Sequence, residues 1–153
     1  MYPSHGGSGR TGGRHTGPVL STDLARRLLD AGLIWSPMPG DRFVVDRAGL
    51  GADVFYLADM TVEVHDFVGG SVIGFNGVTE WALDSVALDE TLWLPREDQL
   101  RAVLGHDFVG LTLQGQEYAV VALVEGTPVT FTDPDAESAY GLALLAVLRH
   151  RTP

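Results

Sequence analysis

Two groups of side chains in this chain have the types and spacing to do chemistry. Glu63 and His65 lie two positions apart in Met60-Thr61-Val62-Glu63-Val64-His65, with Asp59 and Asp66 beside them. A carboxylate next to an imidazole serves as a general acid–base pair or as part of a divalent-metal site. Metal sites draw on three or four convergent protein ligands, and no second histidine stands at a suitable spacing. The alternation of apolar and polar residues makes Glu63 and His65 the wet face of a half-buried strand. The second group is Glu80, Asp84, Asp89 and Glu90, disposed around Trp81. Paired carboxylates near an aromatic ring suit glycoside hydrolysis when held about 5–9.5 Å apart across a sugar. The competing reading of this group is a solvated acidic surface.

Composition removes most other chemistry. The chain has 153 residues and no cysteine, which excludes disulfides, thiolate zinc sites and cysteine nucleophiles. It also has no lysine, so its ten basic residues are all arginine. Lysine Schiff bases and the P-loop lysine are therefore absent. Ser21, Ser36, Ser71 and Ser85 lie in no nucleophile elbow. His106-Asp107 sits at an expected helix end, where the helix dipole favours a protonated imidazole. No cofactor loop and no metal cluster is present, and none is expected to bind. A net charge of −10 opposes nucleic-acid binding, which rests on cationic contacts, and favours a basic protein partner. No apolar run approaches the ~20 residues that span a bilayer. Met1–Pro18 has no apolar core of the signal-peptide kind, and the expected compartment is the cytoplasm.

The elements that must position these residues read as follows. Residues 1–19 form a Gly/Arg-rich tail without an acidic residue, expected to be disordered. Residues 20–150 are expected to form a single compact α+β domain, a mainly antiparallel sheet with three helices packed on one side. The first helix starts at Ser21 or Thr22, carries Leu24, Leu28 and Leu29 as its apolar stripe, and stops at Gly32. A proline-stiffened connection follows, from Leu33 to Asp41. Strands are expected at Arg42–Val45, Val54–Leu57, Met60–His65 and Ser71–Phe75. Thr79–Val86 reads as strand or helix, with strand preferred. Pro95 opens a short helix to Leu104, ended by Gly105. Further strands span Phe108–Leu113, Glu117–Val124 and about Pro128–Phe131. Asp133 caps and Pro134 starts the last helix, whose buried stripe is Ala136, Ala139, Tyr140, Ala143, Leu144 and Val147.

The segment from Phe75 to Leu100 concentrates Trp81 and Trp93, carboxylates, a turn dipeptide and a proline-started helix. Large aromatics with a polar edge are frequent anchors of protein interfaces. The surface singled out for protein binding is Trp81, Trp93, Arg96, Glu97 and Gln99. Trp35 belongs to the same class of residue, and Arg101 shares the short helix with Arg96.

In Gly40-Asp41-Arg42-Phe43, Asp59–Asp66, Phe75-Asn76-Gly77, Thr79–Val86, Leu92–Arg101 and Ala139–Leu145, over about residues 21–148, the chain resembles a family of small actinobacterial proteins. Many of those proteins carry an automatic pilus-assembly label of the Cpa type. The pilus-assembly component of that name is similar to MinD-type ATPases, whose deviant P-loop uses lysines. This chain has no lysine, so the resemblance carries over no ATPase residue. The functional expectation is a non-enzymatic cytoplasmic accessory or adaptor domain that binds another protein, with homo-oligomerisation open. The alternative is a small enzyme or ligand-binding protein using an acidic pocket around Glu80 and Asp84.

Overall fold

The computed structural model describes residues 19–45, 53–57, 63–67, 70–74 and 85–151; at 63–67, 70–74, 85 and 86 it is the backbone that is described. The expected tail, apart from Val19, lies outside these residues, as do Asp59, Glu80, Trp81 and Asp84. In chain order the elements are α1 (Thr22–Asp30), β1 (Arg42–Val45), β2 (Val54–Tyr56), β3 (Glu63–Phe67), β4 (Gly70–Gly74), β5 (Ser85–Ala87) and β6 (Thr91–Trp93). Then follow α2 (Glu97–Leu104), β7 (Phe108–Gln114), β8 (Glu117–Val124), β9 (Thr127–Asp133) and α3 (Ala136–Arg151). Single 3₁₀ turns occupy Leu88–Glu90 and Gly105–Asp107.

The fold is α+β, and every strand pair is antiparallel among the described residues. The strands divide over three sheets of three, ordered β2-β1-β6, β3-β4-β5 and β7-β8-β9. One apolar cluster unites α1, β6, α2, β8 and α3 through Leu24, Leu28, Leu92, Leu100, Val120 and Leu144. A smaller cluster of Phe43, Val45 and Leu57 takes in Trp35 and Phe55.

Local chemistry explains where the helices begin. Ser21 caps α1, its hydroxyl accepting from the Leu24 N–H at 3.2 Å. The buried face is Leu24, Ala25 and Leu28, while the expected stripe member Leu29 is 49% exposed. Helix α2 starts two residues later than Pro95 suggests. The Leu94 N–H donates to the Arg42 carbonyl at 2.8 Å, and the Arg42 guanidinium takes the carbonyls of Leu94 and Pro95. These bonds hold Leu94-Pro95 extended, so Arg96 becomes the cap. An arginine side chain has no acceptor to offer, and Gln99 supplies the capping contact by accepting from the Arg96 N–H at 3.0 Å.

Helix α3 likewise starts after Asp135, not Asp133. The Asp135 carboxylate accepts from the Ser138 N–H and hydroxyl at 2.8 and 2.9 Å. Asp133 ends β9 and accepts from the Asp135 N–H at 2.9 Å. Of the expected α3 stripe, Ala139, Tyr140, Ala143, Leu144 and Val147 are buried, joined by Gly141 and Leu145. Gly141 sits where α1 crosses: a Cβ there would stand 2.8 Å from Leu24 Cδ2 and 3.1 Å from Leu20 Cδ1. The missing side chain lets the two helices approach.

The first strand and the last helix are tied by an internal ion pair. Arg42 and Glu137 have side-chain exposures of 9% and 14%, with Nη2 2.8 Å from Glu137 Oε1. Glu137 also accepts from the Leu20 N–H at 3.1 Å. One carboxylate at the start of α3 thus holds both β1 and the segment entering α1.

Candidate interaction surface

The loop from Leu33 to Asp41 is anchored at both ends by buried residues, Leu33 at 7% and Asp41 at 1% exposure. Its last turn is a type II arrangement: the Asp41 N–H donates to the Met38 carbonyl at 3.1 Å, with Pro39 and Gly40 between. Gly40 has φ +84°, the left-handed value this turn demands of its third residue. Backbone bonds from Gly40 to Leu57 and from Leu57 to Asp41, at 2.7 and 2.9 Å, attach the turn to the end of β2.

The Asp41 carboxylate organises everything around it. Oδ2 accepts from Trp35 Nε1 at 2.8 Å and from the Met38 N–H at 2.9 Å. Oδ1 accepts from Gln99 Nε2 at 2.5 Å and stands 3.5 Å from Arg96 Nη1. Arg96 Nη1 also donates to the Gly40 carbonyl at 2.8 Å, and Nε reaches Asp98 at 3.0 Å. Asp98, then Asp41, outweigh partial burial and hold the Arg96 guanidinium more firmly protonated than usual.

The aromatic rings stack on this framework. Trp35 lies parallel to Trp93 with ring centres 6.2 Å apart, and tilted against Phe43 at 5.8 Å. Trp93 Nε1 is buried and has no hydrogen-bond partner among the described residues. Outside the stack, Ile34 is 85% exposed and Met38 60%, and Tyr56, next to Leu57, is 49% exposed. Ile34 and Met38 therefore stand exposed on a loop whose conformation is held by the Asp41 bonds.

Of the residues expected to bind a partner, the structure brings together Trp93, Arg96 and Gln99, all beneath this loop. Glu97 is exposed at the first position of α2. Trp81 lies outside the described residues. Arg96 and Gln99 direct their donors inward to the loop, and Trp93 is half-buried under Trp35. Ile34 and Met38, which stand outermost, had no signal in the sequence beyond the prolines beside Met38. Asp41 looked like an ordinary turn residue.

The other candidates are placed apart. Glu63 and His65 lie on β3, paired with Gly74 and Val72 of β4. Asp89 is exposed and Glu90 half-buried on the 3₁₀ turn before β6. His106 is 87% exposed at its side chain, and Asp107 is engaged by Arg151. Arg101 lies over the Phe108 ring, 5.4 Å from its centre. Among the described residues no group of three or more His, Asp or Glu could hold a metal ion, and no helix is long and apolar enough to cross a membrane. No family model, curated protein or solved structure matches the chain.

Proposed function

We propose that this chain is a non-enzymatic accessory domain that binds another protein through the surface of the 33–41 loop. The observation that carries this reading is Ile34 at 85% and Met38 at 60% exposure on a loop fastened by a carboxylate that is itself 1% exposed. A free loop with these residues would gain by covering them; this one is held so that they face outward. Apolar side chains preset in one conformation bind at a lower ordering cost than mobile ones. The stacked Trp35 and Trp93 beneath supply a rigid floor, and Asp98, paired with the Arg96 that bonds Gly40, supplies a polar rim.

The test is photo-crosslinking in the native host from a photoreactive residue at Met38, read by mass spectrometry. A defined partner is expected, and Ile34→Asp should abolish its crosslink while leaving the circular dichroism of the domain unchanged. Crosslinks absent, or insensitive to Ile34→Asp, would overturn the proposal.

A further inference from the structure

A concavity of about 400 Å³ lies on elements other than those of the loop surface. One wall is α3, through Leu142, Leu145, Ala146 and Arg149, at the i, i+3, i+4, i+7 spacing of a single helix face. The opposite wall is β9, through the consecutive residues Thr130, Phe131 and Thr132. Three successive strand residues line a cavity only when it runs along the strand's side. Among the described residues β9 pairs with β8 alone, so this is the open edge of its sheet. Every second residue on such an edge turns its N–H and C=O away from the existing ladder. Seven residues of β9 offer roughly 20 Å of edge. Of the usual devices that guard an exposed edge, this strand has Pro128 near its start and Asp133 at its end, and no lysine or arginine.

Charge selects the occupant. Among the described residues the groove is lined by Arg27 of α1 and Arg149 of α3 and by no carboxylate, in a chain of net charge −10. Arg149 is exposed and has no ion pair among the described residues; Arg27 has a 3.8 Å contact with Asp23, whose side chain is 83% exposed. The first 18 residues of the chain carry Arg10 and Arg14 and no acid, and would be repelled. A second copy pairing β9 to β9 would set α3 against α3 with the arginines of both facing one another. We infer that the open edge of β9 takes an extended, acidic segment of another protein as an added strand. Main-chain bonds to β9 hold it, its apolar residues sit on Phe131, Leu142 and Leu145, and a carboxylate meets Arg149 and Arg27.

The experiment is selection of random dodecapeptides displayed on phage against the full chain, followed by binding and amide hydrogen exchange with the selected peptides. Expected are peptides with β-branched residues in alternation and at least one acid, slower exchange at residues 130–132, and affinity reduced about tenfold or more by Arg149→Glu with Arg27→Glu. Selection of nothing, selection of basic peptides, protection away from β9, or affinity unmoved by the charge reversals would overturn the inference. Self-association through β9 in sedimentation equilibrium would overturn it too. The loop surface belongs to different residues, so crosslinking from Met38 reports on it independently.

Discussion

Arg42 Nη2 reaches both carboxylate oxygens of Glu137, at 2.8 and 2.9 Å, across 95 positions of chain. The pair is mostly buried, so its Coulomb attraction works against a sizeable desolvation cost. Truncation of one member leaves the other charge stranded. Glu137→Ala is expected to cost about 3–5 kcal/mol in urea unfolding, whereas Arg42→Met with Glu137→Leu should cost far less. An equal loss in both variants would show that the polar bonds to Leu20, Leu94 and Pro95 matter more than the charge balance.

Asp41→Ala removes the acceptor of Trp35 Nε1, the Met38 N–H and Gln99 Nε2 together. Each donor left dry costs about 1–3 kcal/mol, reduced wherever water reaches it. The expected loss is about 2–3 kcal/mol, with tryptophan emission shifted to the red as Trp35 leaves the Trp93 stack. Asp41→Asn should fall between this variant and the parent. Unchanged emission in Asp41→Ala would show that stacking alone fixes the loop.

Gly141→Ala sets two known effects against each other. Helix propensity favours alanine by about 1 kcal/mol. The added methyl would stand 2.8 Å from Leu24 Cδ2 and 3.3 Å from Leu24 Cγ, so the whole buried side chain must move. Overpacking of this kind costs about 1–3 kcal/mol, and a net loss near 1 kcal/mol is expected. In a Leu24→Ala background the sign should reverse, because the tightest contact is then gone and only the tip of Leu20, at 3.1 Å, has to give. A thermodynamic cycle with the four proteins reads the reversal directly.

Tyr140 gives a pH dependence with a defined sign. Burial raises its phenol above the ordinary value of 10.0, the Glu97 charge adds to this, and Arg101 partly opposes it. The unfolded chain therefore releases this proton at a lower pH than the folded one. Stability from this group is complete below about pH 10 and declines as pH rises toward the folded value. Between about pH 9 and 11 the parent should lose more of its urea midpoint than Tyr140→Phe. Parallel declines in the two proteins would contradict this.

The elements most legible in the sequence were those fixed by neighbours in the chain. Ser21 before α1 and the glycine after α2 both act over a few residues, and each stands where local chemistry puts it. The starts of α2 and α3 moved by two residues because long-range or competing bonds decided them: Arg42 holds Pro95 in extended backbone, and Asp135 takes the cap that Asp133 could also have served. The candidate surface was half legible. Trp93, Arg96 and Gln99 were visible as residue types, but the residues that join them, Asp41 for Arg96 and Gln99 and Trp35 for Trp93, lie 55 to 58 positions away. No local pattern marks a turn aspartate as the centre of such a group.

Asp41 also joins two regions into one equilibrium. Its oxygens receive Trp35 and Met38 from the loop on one side and Gln99 and Arg96 from the start of α2 on the other. Opening of the α2 terminus therefore weakens the hold on the loop, and a ligand clasping the loop must slow that opening by the same free energy. Occupancy outside the domain would be written into the hydrogen-exchange rates of residues 96–100, whether or not anything touches them.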